Sequence, residues 1–318
     1  MKYTFIVNPK SRSGRGGMIW KLAEPELKKR RIDYEVFYTE YARHAVQITD
    51  QITADGQEHT LVVVGGDGTV DEVVNGIRDC SRVTLGYIPT GSGNDFTRAL
   101  HLPSEVHAAL ENIFETGRKV PMDVGRVACG EQSFRFAVSA GIGFDAAVCH
   151  RAAVSPIKAV LNKLGLGKLT YLVIALKWIL LEQPMSAEIR IDGEKAGHFE
   201  HTYFAAVMNH PYEGGGFFFC PEAQIGDGML DVIVVSELPK WKILLLLPTA
   251  FWGKHVNFQG ISIYRCRELE VKMSEELPIH ADGEPIARGQ TIRAALEPEQ
   301  IRVIAPHVAV HTLTGCSQ

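Results

Sequence analysis

Residues 65–71 form a glycine-rich segment, Gly-Gly-Asp-Gly-Thr-Val-Asp, that directly follows the apolar run 61–64. The apolar run predicts a buried strand, and residues 72–77 behind the turn are typical of a helix. Backbone N–H groups at such a strand–turn–helix junction can bind phosphate oxygens, and a helix N-terminus favours negative charge. Asp67 in the turn cannot bind phosphate directly, so the segment predicts nucleotide phosphates handled together with a cation or a hydroxyl group.

Residues 1–124 alternate segments typical of strands with segments typical of helices. The predicted strands are Tyr3–Val7, Tyr34–Tyr38, 61–64 and 83–88. The predicted helices are 16–31, 42–54, 71–79, 95–100 and 106–116. This alternation predicts a doubly wound α/β domain around a parallel sheet.

From residue 125 to residue 318 short strands dominate, and Asp-Gly turns separate several of them. The predicted strands are 126–129, 134–139, 187–192, 202–208, 230–235, 268–273, 279–281, 290–295 and 300–304. This pattern predicts a second domain that is an antiparallel sandwich or barrel, with its last strands free to pack back on the first domain. Two helical stretches, 157–181 and 240–251, interrupt it; we expect them to be either core helices or a membrane-facing surface.

The composition excludes several classes of protein. A net charge of −4 gives no support to a nucleic-acid partner. The six cysteines show no C-x-x-C pair, which argues against a zinc site and favours a reducing cytosol. The chain does not begin with a signal-peptide pattern, and its longest near-apolar stretch, 169–181, is shorter than the about 20 residues of a membrane-spanning helix. We therefore expect a cytoplasmic protein.

Three loops rich in Gly, Ser, Thr or Asn follow predicted strands of the first domain, at residues 8–14, 65–71 and 89–95. Any one of them is compatible with an ordinary turn. Because the carboxyl ends of parallel strands meet at one edge of a sheet, the three together predict a ligand site there. The motif G-x-x-x-x-G-K-[ST] is absent, which excludes a Walker P-loop.

The segment Gly65-Gly-Asp-Gly-Thr69, with Glu72-Val-Val-Asn-Gly76 behind it, resembles the signature of the diacylglycerol kinase catalytic domain. That family includes sphingosine and ceramide kinases, with NAD kinases as more distant relatives. Further segments resemble its other motifs in order and spacing, over nearly the whole chain: residues 8–11, 89–96, 209–216, 221–223 with Asp227-Gly228, and 282–285. The resemblance implies an NAD kinase-like first domain, as in the soluble bacterial lipid kinases.

The resemblance also implies roles for individual residues. Asp67 would lie beside the phosphates, and Asp95 and Asp123 would join it in a magnesium–water network. The residues implied to line the ATP site are Asn8, Pro9, Lys10, Ser11, Arg12, Thr39, Gly65, Gly66, Asp67, Gly68, Thr69, Val70, Asp71 and Ser92. A structural Mg²⁺ site in the second domain is implied at Asp227, with carbonyls near Gln224 and Met229.

The group that accepts the proton of the lipid hydroxyl is either Glu284 or Asp67. The resemblance implies Glu284, with Asp67 organising metal and phosphate. Without the resemblance, residues 282–285 are typical of an ordinary hairpin turn. Two positions depart from the family pattern: Asp71 replaces a common asparagine, and Arg12 replaces a common glycine. The extra charge of Asp71 predicts weaker ATP binding or a stronger need for Mg²⁺, whereas Arg12 either pairs with phosphate or points to solvent.

Residues 141–146 match G-x-G-x-x-A, which is found in dinucleotide sites. The βαβ unit and the acidic residue about 20 positions on are missing, so we expect a tight loop near the lipid site instead.

The expected function is ATP-dependent, Mg²⁺-requiring phosphorylation of a lipid hydroxyl at the inner face of the membrane, to which the protein is peripheral. Diacylglycerol giving phosphatidic acid is the first expectation, and a sphingoid base is the alternative. An NAD kinase-like enzyme and a non-catalytic nucleotide- or lipid-binding protein are the other classes considered. The expected partners are ATP and the lipid, and a homodimer is compatible with the resemblance.

Overall fold

The computed structural model of the protein describes residues 2–90, 95–143, 146 and 183–306. The chain forms two compact units: Met1–Val124 with Ile225–Asp227 and the segment that begins at Glu297, and Gly125–Gln224 with Gly228–Leu296. The predicted ATP-site residue Ser92 and the predicted helix 157–181 lie outside the described residues.

The first unit is built on a six-stranded sheet with the order β2-β1-β3-β4-β17-β5. All neighbours are parallel except β5, which is antiparallel to β17. The strands are β1 (Tyr3–Val7), β2 (Tyr34–Tyr38), β3 (His59–Gly65), β4 (Val83–Pro89), β5 (Arg118–Met122) and β17 (Ile301–Ala305). The predicted doubly wound α/β fold is thereby confirmed.

Helices follow the strands of this sheet. They are α1 (Ser11–Lys29), α2 (His44–Ile52), α3 (Asp67–Gly76), α4 (Asp95–Ala99) and α5 (Val106–Glu111), with 3₁₀ turns at Thr53–Asp55 and Cys80–Arg82 and a π-helical turn at Asn112–Thr116. Side chains on both faces of β3, such as those of Val63 and Val64, are fully buried, because helices cover both faces of a parallel sheet. The predicted start of the third helix at residue 71 is wrong. The helix begins at Asp67, since Thr69 and Val70 already donate to the carbonyl of Gly66 at 2.9 and 3.2 Å.

The second unit is an antiparallel nine-stranded sheet, which confirms the predicted β-sandwich class. Its path runs β14-β13-β10-β8-β15-β16-β6-β7, and β9 pairs with both β10 and β15. The strands are β6 (Gly125–Cys129), β7 (Gln132–Phe136), β8 (Ser139–Gly143), β9 (Met185–Ile191), β10 (Glu194–Met208), β13 (Leu230–Ser236), β14 (Ile261–Cys266), β15 (Glu268–Ala281) and β16 (Glu284–Leu296). A separate ribbon pairs β11 (Tyr212–Glu213) with β12 (Phe217–Phe218).

Two predictions for this unit are wrong, and a third, the helical stretch at 240–251, is confirmed with a change of helix type. The single strand predicted at 134–139 is two strands, β7 and β8, because the N–H groups of Ala137 and Val138 between them donate to the side chain of Asp282. Residues 141–143 belong to β8 rather than to a loop. The helix predicted at 240–251 is α-helical over Lys240–Leu246, which we call α6, and continues as a 3₁₀ helix over Leu247–Trp252, since Pro248 cannot donate a helical hydrogen bond.

Candidate active site

The strand order of the first unit reverses between β1 and β3. β1 pairs with β2 on one side and with β3 on the other. The chain that leaves β1 therefore crosses towards β2, whereas the chain that leaves β3 crosses towards β4. Open α/β sheets bind ligands in the crevice beyond the strand ends at such a point. The loops after β1 and β3 lie on its two sides.

Asn8 ties the first loop to the glycine-rich turn. Its N–H donates to the carbonyl of Val64 at 2.9 Å, and its Nδ2 donates to Thr69 Oγ1 at 3.2 Å. Its Oδ1 accepts from the N–H of Lys10 at 3.2 Å, so the backbone N–H and both polar side-chain atoms of this residue fix the loop.

Ser11 adds the third loop to this arrangement. Its hydroxyl lies 2.9 Å from the carbonyl of Asn8 and 2.8 Å from Thr90 Oγ1. Thr90 follows β4 directly, is buried, and donates its N–H to the carbonyl of Gly65 at 2.8 Å. Thr90 was not predicted as a site residue, although it directly follows a predicted strand and residues in that position lie at the ligand-binding edge of the sheet. The structure thus brings together residues from all three predicted loops.

The first loop overlaps the start of α1, where three consecutive residues lie in the left-handed region and interrupt the helix. The φ angles of Arg12, Ser13 and Gly14 are 45°, 57° and 93°. A non-glycine residue costs about 1–2 kcal/mol in this conformation, which explains why a glycine at position 12 is favourable and why strain is stored here. Arg12 and Ser13 are exposed. Successive N–H groups in turns of this type form concave anion-binding nests.

The turn after β3 delivers the start of α3 to the same place. Gly66 is extended, and Asp67 is the first helical residue. A Cβ on Gly65 would lie 2.5 Å from Cβ and Oγ1 of Thr69, so no larger residue fits where the strand meets the helix. The positive end of the α3 dipole therefore lies at the end of β3, beside the crevice.

Asp67 and Asp95 lie side by side. The N–H of Asp95, the first residue of α4, donates to Asp67 Oδ2 at 3.1 Å, and the carboxylate of Asp95 is 3.7 Å from Arg98. Burial, and then the charge of Asp67, raise the pKa of the Tyr87 phenol well above its usual range. Tyr87 therefore stays protonated and donates to the carbonyl of Gly65 at 3.1 Å.

The side chains of Asp67 and Asp95 are of the chemical type that Mg²⁺ prefers, because this ion is usually held by one or two carboxylates together with phosphate oxygens and water. No group of three His, Cys, Asp or Glu side chains within the described residues is arranged to hold a metal. Asp123 is not grouped with the pair: its Oδ1 accepts from Gln300 Nε2 at 2.8 Å and its N–H donates to the carbonyl of Ile225 at 2.8 Å.

The other described residues of the first unit that were predicted to line the ATP site differ in burial and in their hydrogen-bond partners. Thr39 is buried at the end of β2 and donates its N–H to the carbonyl of Val7 at 2.9 Å, whereas the ammonium of Lys10 donates to the carbonyl of Glu40 at 2.8 Å. Asp71 is buried within α3, where its Oδ1 accepts from Asn75 Nδ2 at 2.9 Å. The other members are Pro9, which accepts from the N–H of Gly17, Gly68 in the first turn of α3, and Val70, which is a core side chain.

The predicted structural metal site lies on the segment between β12 and β13. Asp227 is exposed, and Gln224 and Met229 are half-buried. Gly228, between Asp227 and Met229, has a φ of 72°, which marks a tight turn. The role of these residues as metal ligands stays a prediction.

In the second unit, Glu284 follows a two-residue hairpin turn that joins β15 to β16. Asp282 and Gly283 have φ angles of 48° and 78°, as a turn with two left-handed residues requires. Glu284 is the first residue of β16 and is exposed. The backbone of residues 282–285 therefore forms the ordinary hairpin turn that the sequence also predicted. The exposed carboxylate of Glu284 lies at the end of this rigid turn.

The side chain of Asp282 holds this turn against the chain between β7 and β8. Its carboxylate accepts from the N–H groups of Ala137, Val138 and Ser139 at 2.8, 2.8 and 3.0 Å. Burial raises the pKa of Asp282 to about 6, an effect opposed by these three donors and by the neighbouring His280.

His280 also holds this turn in place. Its ring is fully buried, its Nδ1 accepts from the N–H of Gly283 at 3.2 Å, and its Nε2 lies 3.4 Å from Glu213 Oε1. This geometry indicates that Nε2 carries the proton and donates to Glu213. Asn209, from the same motif as Glu213, donates from Nδ2 to the carbonyl of Ala137 at 2.9 Å. The motifs at 209–216 and 282–285 thus meet at one place, and His280 was missed because its partners are distant in sequence.

The chain contains a second Asp-Gly-Glu hairpin, at residues 192–194. Asp192 and Gly193 have φ angles of 50° and 81°, and Asp192 Oδ1 accepts from the N–H groups of Arg267 and Glu268, both at 2.8 Å. The two turns share sequence and backbone conformation. They differ in their surroundings. Among the described contacts of the two turns, those of residues 282–284 alone include the buried His280–Glu213 pair.

Comparison with known proteins agrees with this architecture. Residues 2–127 match the family described as "Diacylglycerol kinase catalytic domain", and residues 137–305 match "YegS C-terminal NAD kinase beta sandwich-like domain". The protein named "Putative lipid kinase YtlR" from Bacillus subtilis (strain 168) is 31% identical over 94% of this chain and 98% of its own length. A "Diacylglycerol kinase" of Mycobacterium tuberculosis (strain H37Rv) is 28% identical over 89% of this chain and 88% of its own.

A solved structure shows the same fold. The crystal structure titled as a putative diacylglycerol kinase from Bacillus anthracis str. Sterne superposes with a TM-score of 0.75 at 24% identity, and covers 96% of this chain and 98% of its own. The chain belongs to the diacylglycerol kinase catalytic-domain family and is an ATP-dependent lipid kinase.

Proposed function

We propose that this kinase transfers the γ-phosphate of ATP to the free hydroxyl of diacylglycerol, giving phosphatidic acid. The observation that carries the phosphoryl-transfer chemistry is the Asp67–Asp95 pair, with its 3.1 Å hydrogen bond at the switch point of the first unit. Diacylglycerol as the acceptor is supported by the names of relatives that align over most of the chain.

The phosphates of ATP would bind to backbone N–H groups. The left-handed residues Arg12 and Ser13 would contribute N–H groups, and the start of α3 would contribute the positive end of its dipole. Asn8, Ser11 and Thr90 fix the relative positions of these loops through their hydrogen bonds. Phosphoryl transfer depends mostly on such positioning and on electrostatic stabilisation.

Mg²⁺ would be held by Asp67 and Asp95 together with phosphate oxygens. When bound, the ion neutralises charge on the transferred phosphoryl group. Asp67 is suited to this role because its Oδ2 is already fixed by the N–H of Asp95. We therefore assign Asp67 to the organisation of phosphate and metal rather than to proton transfer.

Glu284 would accept the proton of the lipid hydroxyl. As the hydroxyl oxygen bonds to the γ-phosphorus, the bond from that phosphorus to the bridging oxygen breaks, ADP leaves, and the proton passes to the Glu284 carboxylate. Its exposure and its place at the end of the Asp282–Gly283 turn support this assignment. General-base catalysis of this kind contributes about 10²–10⁴-fold.

The lipid acceptor places the reaction at a membrane surface, on the ATP-containing side. No helix within the described residues is long and apolar enough to cross a membrane. We propose a peripheral enzyme, because the acceptor lipid resides in the bilayer whereas ATP is in solution.

The test is a substrate panel. The purified protein is incubated with γ-labelled ATP and Mg²⁺ in the presence of diacylglycerol, ceramide, a sphingoid base or NAD. We expect labelled phosphatidic acid, and loss of this product in Asp67→Asn. Label in the sphingoid base alone would replace the acceptor, label in NAD alone would favour the NAD kinase class, and no label in any lipid would refute the proposal.

A further inference from the structure

The second unit carries large apolar side chains on its surface. Trp241 and Leu245 in α6 are 64% and 67% exposed, and Trp252, at the end of the following 3₁₀ helix, is 69% exposed. Trp241 and Leu245 are four residues apart, so they lie on the same face of α6. We call Trp241, Leu245 and Trp252 the tryptophan surface.

The other side of this segment is anchored in the unit. Leu246 is buried in an apolar cluster with Tyr203 and Phe204, and the hydroxyl of Tyr203 donates to the carbonyl of Leu238 at 3.0 Å, just before α6. Phe251 stacks on Phe217 with 4.4 Å between ring centroids. The segment is therefore held in place from within, and its exposed side chains are a fixed feature rather than a frayed end.

The chain segment that carries the tryptophan surface contains basic residues and no acidic ones. No acidic residue occurs from Leu238 to Arg267, whereas Lys240, Lys242 and Lys254 fall within this stretch of a chain whose net charge is −4. The neighbouring Glu237 is engaged elsewhere, since it accepts from the N–H of His201 at 3.0 Å.

We propose that the tryptophan surface docks the enzyme on an anionic lipid bilayer. Tryptophan rings favour the membrane–water interface, leucine enters the acyl boundary, and lysines nearby are attracted to anionic headgroups. The proposal rests on the proposed function in one respect: a diacylglycerol substrate resides in the bilayer.

Charge complementarity favours a bilayer over a second copy of the chain. In a two-fold symmetric dimer the same patch occupies both sides of the interface. Lys242 and Lys254 would then face the same two lysines of the other copy, which brings like charges together. An anionic bilayer supplies the opposite charge.

The test measures binding of the full chain to phosphatidylcholine vesicles with and without phosphatidylglycerol. The double variant Trp241→Ala/Trp252→Ala should bind both kinds at least about tenfold more weakly, because two large apolar contacts are lost. The triple variant Lys240→Gln/Lys242→Gln/Lys254→Gln should lose about fivefold per lysine on anionic vesicles only. The matched control Lys195→Gln/Lys272→Gln removes exposed lysines elsewhere in the same unit and should bind as the parent does.

A second pair of exposed apolar residues makes the result decisive. Met18 and Leu22 in α1 are 60% and 61% exposed and are also four residues apart. If Met18→Ala/Leu22→Ala abolished vesicle binding while the tryptophan variant bound normally, the proposal would be wrong. It would also be wrong if the tryptophan variant changed a dimer into a monomer in sedimentation and left vesicle binding unchanged.

Kinase rates separate this proposal from the proposed function. On a short-chain diacylglycerol dispersed in water, the tryptophan variant should phosphorylate at the parent rate, whereas on diacylglycerol in vesicles its rate should fall with binding. A parent protein that binds vesicles through these residues but phosphorylates no diacylglycerol would refute the function and leave the surface in place. Equal rates of parent and variant on vesicles would refute the surface alone.

Discussion

Asp282 and Ser139 are joined by two reciprocal hydrogen bonds. The backbone N–H of Asp282 donates to the carbonyl of Ser139 at 2.8 Å, and the carboxylate of Asp282 accepts from the N–H of Ser139 at 3.0 Å. The same carboxylate accepts from Ala137 and Val138. The turn that carries Glu284 is therefore fixed to the chain between β7 and β8, and this suggests how the orientation of Glu284 is set.

Asp282→Asn should impair turnover more than stability. The amide presents an N–H to one of three backbone donors, so one hydrogen bond is lost and the turn shifts, with kcat expected to fall about tenfold or more. At neutral pH the free energy of unfolding should change by only about 1 kcal/mol. The variant no longer buries a negative charge, which stabilises the fold, and this offsets the loss of one hydrogen-bond acceptor. Steady-state kinetics and urea unfolding provide the measurements.

The second Asp-Gly-Glu hairpin supplies the control. Asp192 also accepts two backbone hydrogen bonds at 2.8 Å, from Arg267 and Glu268. Asp192→Asn should leave kcat within about twofold, since no proposed catalytic group depends on this turn. An equal loss of kcat in both variants would show that Asp282 acts through general stability and not through the Glu284 turn.

Glu284→Gln tests the proposed base. The amide keeps the size of the side chain but cannot accept a proton, so kcat should fall about 10²–10⁴-fold while ATP affinity, measured by calorimetry, is retained. Glu194→Gln alters the corresponding position of the other hairpin and should turn over normally. Normal turnover of the Glu284 variant would leave Asp67 as the candidate base.

The titration of Asp282 predicts how stability depends on pH. Its pKa is raised in the folded protein to about 6 from 3.8, chiefly by burial, so the folded state binds more protons than the unfolded state between these values. The stability contributed by the protonated form is complete below pH 3.8 and is lost as the pH rises through about 6.

The difference in unfolding free energy between parent and Asp282→Asn should therefore decrease by up to about 2–3 kcal/mol from pH 4 to pH 7. Denaturant titrations at the two pH values measure it. A difference that is constant with pH, or that grows as the pH rises, would contradict the raised pKa.

Gly65 and Gly66 are adjacent but should differ in their tolerance of alanine. A Cβ on Gly65 would lie 2.5 Å from Thr69, whereas nothing lies within 4 Å of a Cβ on Gly66. Gly65→Ala should destabilise the first unit by about 1–3 kcal/mol through overpacking, and Gly66→Ala should stay within about 0.5 kcal/mol of the parent. Thermal unfolding without nucleotide compares them, and equal stabilities would show that the strand–helix junction can relax.

Local sequence signals predict the parallel sheet well. The bounds of β1 and β2 agree with the predicted strands, because short apolar runs are flanked by polar residues and turns. β5 was missed because Pro121 argues against a strand, although an edge strand tolerates it. The insertion of β17 between β4 and β5 depends on pairing between distant parts of the chain, which periodicity does not report.

The candidate site could likewise be predicted where it depends on local sequence, but not where it depends on contacts between distant residues. The three loops could be predicted, since parallel strands end at a common edge. The Asp67–Asp95 contact needed a fold to bring two loops together, and the bond of Asp123 to Gln300 joins residues too distant in sequence for spacing to predict. His280 gave no signal, because its function depends on Glu213 and on the turn above it.

Asp71 provides the last prediction, since its charge adds to that of Asp67 in the same helix. Its carboxylate is buried and accepts from Asn75 at 2.9 Å. In Asp71→Asn the Oδ1 can still accept this bond, so the fold should be kept while one negative charge near the proposed phosphate site is removed. The KM for MgATP should fall a few-fold, because in the parent protein the negative charge of Asp71 repels the phosphates and weakens ATP binding. Glu111→Gln, at the exposed end of α5, controls for the loss of one negative charge elsewhere in the same unit. An unchanged KM in the Asp71 variant, with normal unfolding, would show that this carboxylate does not sense the nucleotide.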